Sequence, residues 1–235
     1  TIRNYRLPEV LARLPDIPTI IIDSSPTPLT GVGDLFTQQI VYYYGGHSRT
    51  LGWARDFGRK MAFKHFRGWR YMLHADDDAV LDSSVIDKLK KTFALDSKIG
   101  IVGTCGKKHR EEAERMGKMI RYVTHVWTAG MLVKREVAKQ ICFDKNLHYF
   151  EDLDYCIRAW LKGFRVVENA EACIEHPAHV WSSEEILEAG LYILRKLKPK
   201  YRKLFRLTTR EDWVYNFITE EQQLKKKGGA SASGI

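Results

Sequence analysis

An α/β domain with a mostly parallel sheet flanked by helices is what this sequence predicts, and three observations predict it. Short β-branched or aromatic runs alternate with stretches of helical period along most of the chain. Two of those runs end in acids: Thr19-Ile-Ile-Ile22 closes on Asp23, and the run from Trp69 closes on Asp76-Asp77-Asp78. Carboxylates delivered to the C-terminal tip of a strand are how an open α/β sheet builds a ligand site. The third observation is length, since 235 residues suffice for one α/β domain with a full core or for two small ones.

In order, residues 1–5 read as the end of a first strand and 8–14 as a helix, broken by Pro15 and Pro18. The 19–22 strand follows, then a strand over 39–44 closed by Gly45-Gly46. Residues 51–66 carry apolar side chains at 53, 54, 57, 61, 62 and 66, a helical period, and the cost of Gly58 inside that helix predicts close packing there. After the acidic turn a helix over 83–94 presents Val85, Ile86, Leu89 and Phe93, with Ser84 and Asp87 as a capping box. Residues 99–104 form a strand. The highly charged 106–121 segment reads either as a solvated loop or short helix, or as a mobile cover over a substrate groove. An apolar-rich stretch over 122–133 is interrupted by Thr128-Ala129-Gly130, where Gly130 either lets backbone approach a ligand or makes a turn. A short helix then ends near Phe143-Asp144. The amphipathic helix over 151–162, stopped by Gly163, opens with Glu151, Asp152 and Asp154. At a helix start the dipole favours ionised acids, so Asp152 is expected to keep a low or ordinary pKa. Residues 164–167 and 172–174 read as two last strands.

From Ser182 the character changes. Ser182 with Glu185, and Thr209 with Asp212, match capping boxes, and seven of the twelve residues from 195 to 206 are Lys or Arg. The expected organisation is a domain over 1–181, a helical basic extension over 182–224 packed on it, and a flexible tail over 225–235. The net charge of +9 favours polyanionic partners. No apolar run approaches the roughly 18 residues of a membrane span and no secretory leader is visible, so a cytoplasmic location is expected. Cys105, Cys142, Cys156 and Cys173 form no CxxC pair and read as buried small hydrophobes in a reducing compartment.

Three adjacent carboxylates repel one another, which a shared divalent cation relieves. Farther on, Glu175-His-Pro-Ala-His-Val-Trp181 places His176 and His179 three apart, as structural histidines or as a further ligand.

Together these pieces resemble the GT-A nucleotide-sugar glycosyltransferases of the family 2 type over about residues 1–181. Arg3-Asn-Tyr-Arg-Leu-Pro8 matches the family's opening loop loosely, and Asp23 stands where an Asp contacts the nucleoside. Gly52-Trp-Ala-Arg-Asp-Phe-Gly58 keeps an Ala-Arg-x-x-Gly core, Asp76 and Asp78 match the DxD element, and Glu151-Asp152-Leu-Asp154 with Arg158 and Gly163 matches the late acidic motif. Two departures are the near-absent first strand and Asp56 in place of the usual Asn.

The resemblance implies an inverting transfer from a nucleoside-diphosphate sugar, UDP-sugar foremost. Asp152 would be the base, with Glu151 and Arg158 orienting base and acceptor. Arg3, Tyr5, Asp23, Arg55, Asp76, Asp77 and Gly130 would line the donor. A Mn2+ or Mg2+ would be held by Asp78 and Asp76 with His176 or His179. The surface of Trp127, Arg195, Lys196, Lys198, Lys200, Arg202 and Lys203 would meet the acceptor or a polyanion, with a hydroxylated modified DNA base as the first acceptor reading. A saccharide or lipid-linked glycan is the alternative, and the same basic run would suit peripheral contact with anionic lipid. A metal-dependent nucleotidyltransferase and a non-catalytic nucleic-acid-binding module complete the readings.

Overall fold

Seven strands and six helices order the described part of the chain, which in the computed structural model comprises residues 7–30, 40–46, 49–174, 188–190, 192, 193 and 196. Helix α1 (Leu7–Arg13) precedes β1 (Thr19–Asp23), which pairs in parallel with β2 (Ile40–Tyr44). Leu11 and Ile21 form a small core between them with Leu7, Leu14, Ile40 and Tyr42.

The main sheet has the order β3 (Tyr71–Ala75), β6 (Gly130–Lys134), β4 (Ile99–Cys105), β7 (Arg165–Cys173), β5 (Ile120–Tyr122). Strand directions are mostly shared: β3, β4 and β7 run the same way, while β6 is inserted antiparallel between β3 and β4, and β5 runs antiparallel at the edge. The sheet is therefore mixed. Central strands β4 and β6 are apolar and buried on both faces, as their runs Ile-Gly-Ile-Val and Gly-Met-Leu-Val require. Around them lie α2 (Leu51–His65), α3 (Ser83–Thr92), α4 (Lys107–Arg115), α5 (Arg135–Gln140) and α6 (Glu151–Leu161). One core layer joins Ile101, Met131 and Val133 to Phe143, Tyr155 and Ala159, and the other joins Leu89 and Phe93 to Val102, Leu132 and Val167.

Several local expectations change. Helix α3 starts at Ser83 as expected, but its cap is Asp82, two residues before Ser84, and Asp82 accepts from the Val85 N–H at 2.8 Å. The charged 106–121 segment holds the short helix of one reading, α4, and adds an unexpected strand, β5, with Ala113 packed against Cys105 and Ala170. Residues 164–174 hold one strand, β7, rather than two; a register shift between Gly103 and Cys105 lets the pairing with β4 continue to Cys173. Cys142 is exposed and Cys173 half-buried, unlike Cys105 and Cys156; Cys142 stands between buried Ile141 and Phe143 where the backbone is extended at Ile141, so it takes the opposite side of the chain from its core neighbours.

The chain divides into compact units Thr1–Ala178 and His179–Ile235. In the second unit the described residues are helical, with the Lys196 ammonium 5.9 Å from the Tyr192 ring centre. The first strand expected over 1–5, the 182–185 and 209–212 caps and the tail lie outside the described residues. Among the described residues no helix is long and apolar enough to cross a membrane.

Close packing within α2 falls on Gly52, nearly two turns before the expected Gly58. A Cβ at Gly52 would come within 2.0 Å of the Asp144 carbonyl oxygen and 2.9 Å of that of Leu147, whereas one at Gly58 would meet Ile22 Cγ1 at an ordinary 3.6 Å. The Gly52 N–H also donates to Leu147 O at 2.9 Å, which docks the start of α2 on the loop leading into α6. Gly52→Ala is expected to cost at least about 2 kcal/mol because backbone must move. Gly58→Ala is expected to be neutral or to gain up to about 1 kcal/mol from helix propensity. Urea unfolding of the two variants checks this ordering.

Candidate active site

Strand β3 ends at Ala75, and the three aspartates turn immediately, with Ala79 N–H donating to Asp76 O at 3.2 Å. Ala75 is the register partner of Gly130, so the start of β6 lies beside this turn at the C-terminal edge of the parallel strands. From α2, one turn past the docked Gly52, Arg55 reaches the same place. Its Nη1 donates to Ala75 O at 2.9 Å and its Nη2 binds Asp76 Oδ1. The guanidinium also lies in the fields of Glu151 and Asp152 at the head of α6. Acids from two distant parts of the sequence thus face one buried cation.

Glu151 is 4% exposed, and Thr128 Oγ1 donates to its Oε1 at 3.3 Å. Burial holds the Glu151 carboxyl well above the ordinary carboxylate range, Asp152 pushes it further up, and Arg55 opposes both. Asp152 is likewise raised, first by burial; His125, the Leu153 N–H (2.6 Å to Oδ1) and Arg55 pull the other way. The expectation of a low or ordinary Asp152 pKa is therefore corrected: desolvation outweighs the helix terminus. Two adjacent carboxyls of this kind titrate as a coupled pair. The residue before them, Phe150, has left-handed backbone (φ 60°). A non-glycine residue there carries strain on the order of 1–2 kcal/mol.

Asp77 is pushed up to about 6 by burial and by the charges of Asp78 and Asp76, and its Oδ2 is buried without a hydrogen-bond partner. Asp78 is buried as well. An all-oxygen turn under mutual repulsion fits a hard divalent cation, which needs only one or two protein carboxylates when substrate phosphates complete the shell. Among the described residues, no three His, Cys, Asp or Glu side chains are grouped to hold a metal by themselves. His176 and His179 lie outside the described residues, as do Arg3 and Tyr5, and Arg195, Lys198, Lys200, Arg202 and Lys203. Lys196 is exposed.

Other expected site residues have local duties. Asp23, at the tip of β1, accepts from Ser25 N (2.9 Å), Ser25 Oγ (2.5 Å), Leu29 N (3.0 Å) and Tyr42 OH (2.5 Å), and these bonds hold its pKa down despite burial. Those four bonds match the acceptor capacity of a carboxylate, so Asp23 organises its own loop. Arg158 binds Asp154, one turn back on α6, through Nε (2.9 Å) and Nη2 (2.5 Å). It neutralises that fully buried acid instead of bonding to Asp152. Gly130 is explained by packing, since a Cβ there would lie 2.4 Å from Thr104 Oγ1. Asp56 binds Arg59 (2.8 Å) and Lys60 (2.9 Å), and Arg59 also donates to Ala138 O at 3.0 Å, tying α2 to α5. Thr128 and His125 are site residues that no spacing singled out. His74, buried and held down to about 3 by desolvation and by Arg55, is a neutral ring edge-on to Phe143.

No curated protein matches the chain. Residues 110–211 match a family described as the GSKIP domain, a span of less than half the chain that leaves out the acidic turn. Solved structures match more widely. The mannosyltransferase PcManGT from Pyrobaculum calidifontis, in complex with GDP-Man and Mn2+, is similar over 100% of this chain and 74% of its own, with TM-score 0.60 and 14% identity. GalNAc-T7 with UDP, GalNAc and Mn2+ is similar over 75% of this chain, with TM-score 0.57 and 12% identity. S. aureus TarS is similar over 83%, with TM-score 0.57 and 15% identity. The chain spans 41% of GalNAc-T7 and 37% of TarS. These likenesses show that the α/β unit has the GT-A fold.

The raised pKa of Glu151 has a sign that stability measurements read. Its folded-state value lies above its unfolded value of 4.5, so keeping the ionised form buried costs stability that grows as pH rises from there into the neutral range. Glu151→Gln is expected to melt higher than wild type at pH 8, with the gap closing towards pH 5. A gap independent of pH contradicts the assignment.

Proposed function

We propose that this chain is a metal-dependent glycosyltransferase that moves a sugar from a nucleoside-diphosphate sugar to a hydroxyl of a saccharide or lipid-linked glycan. The observation that carries the reading is the convergence on Arg55 of the acidic turn after β3 and the carboxyl pair of α6, within a GT-A fold. Similar folds were solved with GDP-Man or UDP and Mn2+, which supports that donor class.

Asp152 takes the proton from the acceptor hydroxyl as its oxygen attacks the anomeric carbon, and the bond from that carbon to the diphosphate breaks with inversion. A base works best with a pKa near the operating pH, so the burial that raises Asp152 suits it to this task. Glu151, which accepts from Thr128, stands beside Asp152 at the head of the helix. The charge of Arg55 opposes the rise that burial imposes on both carboxyls. Asp76 and Asp78 would hold the Mn2+ or Mg2+, with His176 or His179 as a further ligand. The cation there would neutralise charge on the departing diphosphate.

A glycan acceptor is favoured over a modified DNA base. Arg55, Arg59 and Arg158 are each bound to a carboxylate, Asp76, Asp56 and Asp154, which leaves them unsuited to following a phosphate backbone.

Thermal shift with GDP- and UDP-sugars, with and without Mn2+, tests the donor. Only the true donor class should raise the melting temperature, and only with metal. Asp152→Asn is expected to keep that shift and to lower turnover at least about 100-fold. Equal loss of donor affinity and turnover would remove Asp152 from the base role.

A further inference from the structure

Trp127 is 42% exposed in a loop whose neighbours Val126, Thr128 and Ala129 are all at or below 5%. A half-exposed indole offers a flat apolar face, with a polar N–H at its rim, to a ligand. The loop is also rigidly held. Val123 N–H donates to Val166 O at 3.0 Å, and Val123 O accepts from Trp160 Nε1 at 2.9 Å. Val126 sits in the main core, and Thr128 binds Glu151. The indole therefore belongs to a held loop, and the residue after it, Thr128, is the one that binds Glu151.

His109, from α4, lies beside it with ring centres 5.7 Å apart and planes tilted 35°. The imidazole is fixed in turn: its Nδ1 is 2.8 Å from Glu168 Oε1, and the other oxygen of that carboxylate binds Arg121. An indole face edged by hydrogen-bonding groups matches a pyranose, which presents a C–H face and a rim of hydroxyls.

Resting on the transferase reading, we propose that Trp127, with His109 at its side, is the shelf on which the acceptor's pyranose ring stacks. Of the cations nearby, Arg121 is bound to Glu168 and Glu112 and Arg110 to Glu114, while Lys107 and Lys108 beside His109 are exposed, so a single-stranded oligonucleotide is the competing ligand that the test must separate from a sugar.

Saturation-transfer NMR on the full chain tests the shelf. Methyl α-mannopyranoside, methyl β-galactopyranoside and methyl β-N-acetylglucosaminide are the sugar probes, and a thymidine decanucleotide is the competing arm. At least one pyranoside should receive saturation on its ring C–H protons. Trp127→Ala should weaken that binding about fivefold, the scale of one aromatic contact, and Trp127→Phe should restore most of it. No saturation of any pyranoside in wild type, equal binding in Trp127→Ala, or a Trp127-dependent signal from the oligonucleotide alone would each overturn the proposal. Failure of sugar nucleotides and Mn2+ to shift the melting temperature would instead strike the transferase reading, and the pyranoside signals would still decide whether Trp127 is a sugar shelf.

Discussion

A single buried guanidinium, Arg55, answers carboxylates from two separate parts of the fold, and the geometry of the site depends on it. An isolated charge in the interior is costly, and so is each acid; together they are tolerable. The arrangement needs Arg55 to be placed accurately. Gly52 allows the start of α2 to lie against the backbone of Asp144 and Leu147, only a few residues before α6. The same helix therefore touches the strand tip through Arg55 and the approach to α6 through Gly52. Sequence, packing and electrostatics meet in that one turn.

Magnitudes explain why the carboxyl pair is not a low-pKa helix terminus. A helix dipole is worth about 0.3–1 kcal/mol at an exposed end and about 2 kcal/mol at best, so it moves a pKa by roughly one unit. Complete burial moves one by up to about 3–5 units. Glu151 is buried and Asp152 half-buried, and desolvation prevails at both. The consequence reaches function, because a carboxylate that binds its proton more tightly is a stronger base. Left-handed Phe150 adds backbone strain at the same point, which the surrounding contacts must offset.

Much of this was legible in the sequence, for physical reasons. Period-2 and period-3.6 patterns, bounded by Gly and Pro, located β1, β3, α2 and α6 closely, and acids after apolar runs marked the strand tip. What was hidden depends on contacts that no local pattern encodes. Gly52 and Gly58 look alike until the Asp144 carbonyl appears beside one of them. Asp23 resembles a ligand-facing acid until Ser25, Leu29 and Tyr42 are seen to use its lone pairs. Arg158 lies four residues after Asp154 as well as six after Asp152, and the i,i+4 geometry decides in favour of Asp154. Thr128 and His125 enter the site because the antiparallel insertion of β6 carries the preceding loop to the strand tips, and neither residue type signals that.

Stability against pH for Arg55→Met, compared with wild type by urea unfolding from pH 5 to pH 9.5, tests the central claim most directly. Arg55 holds down the pKa values of Glu151 and Asp152, so its loss should leave the acids tolerable when protonated and increasingly costly as they ionise. The account predicts a deficit that is small at pH 5 and widens most from about pH 8 upward, where Glu151 ionises in the wild type. Parallel curves, with the same deficit at every pH, would show that Arg55 does not hold these acids together.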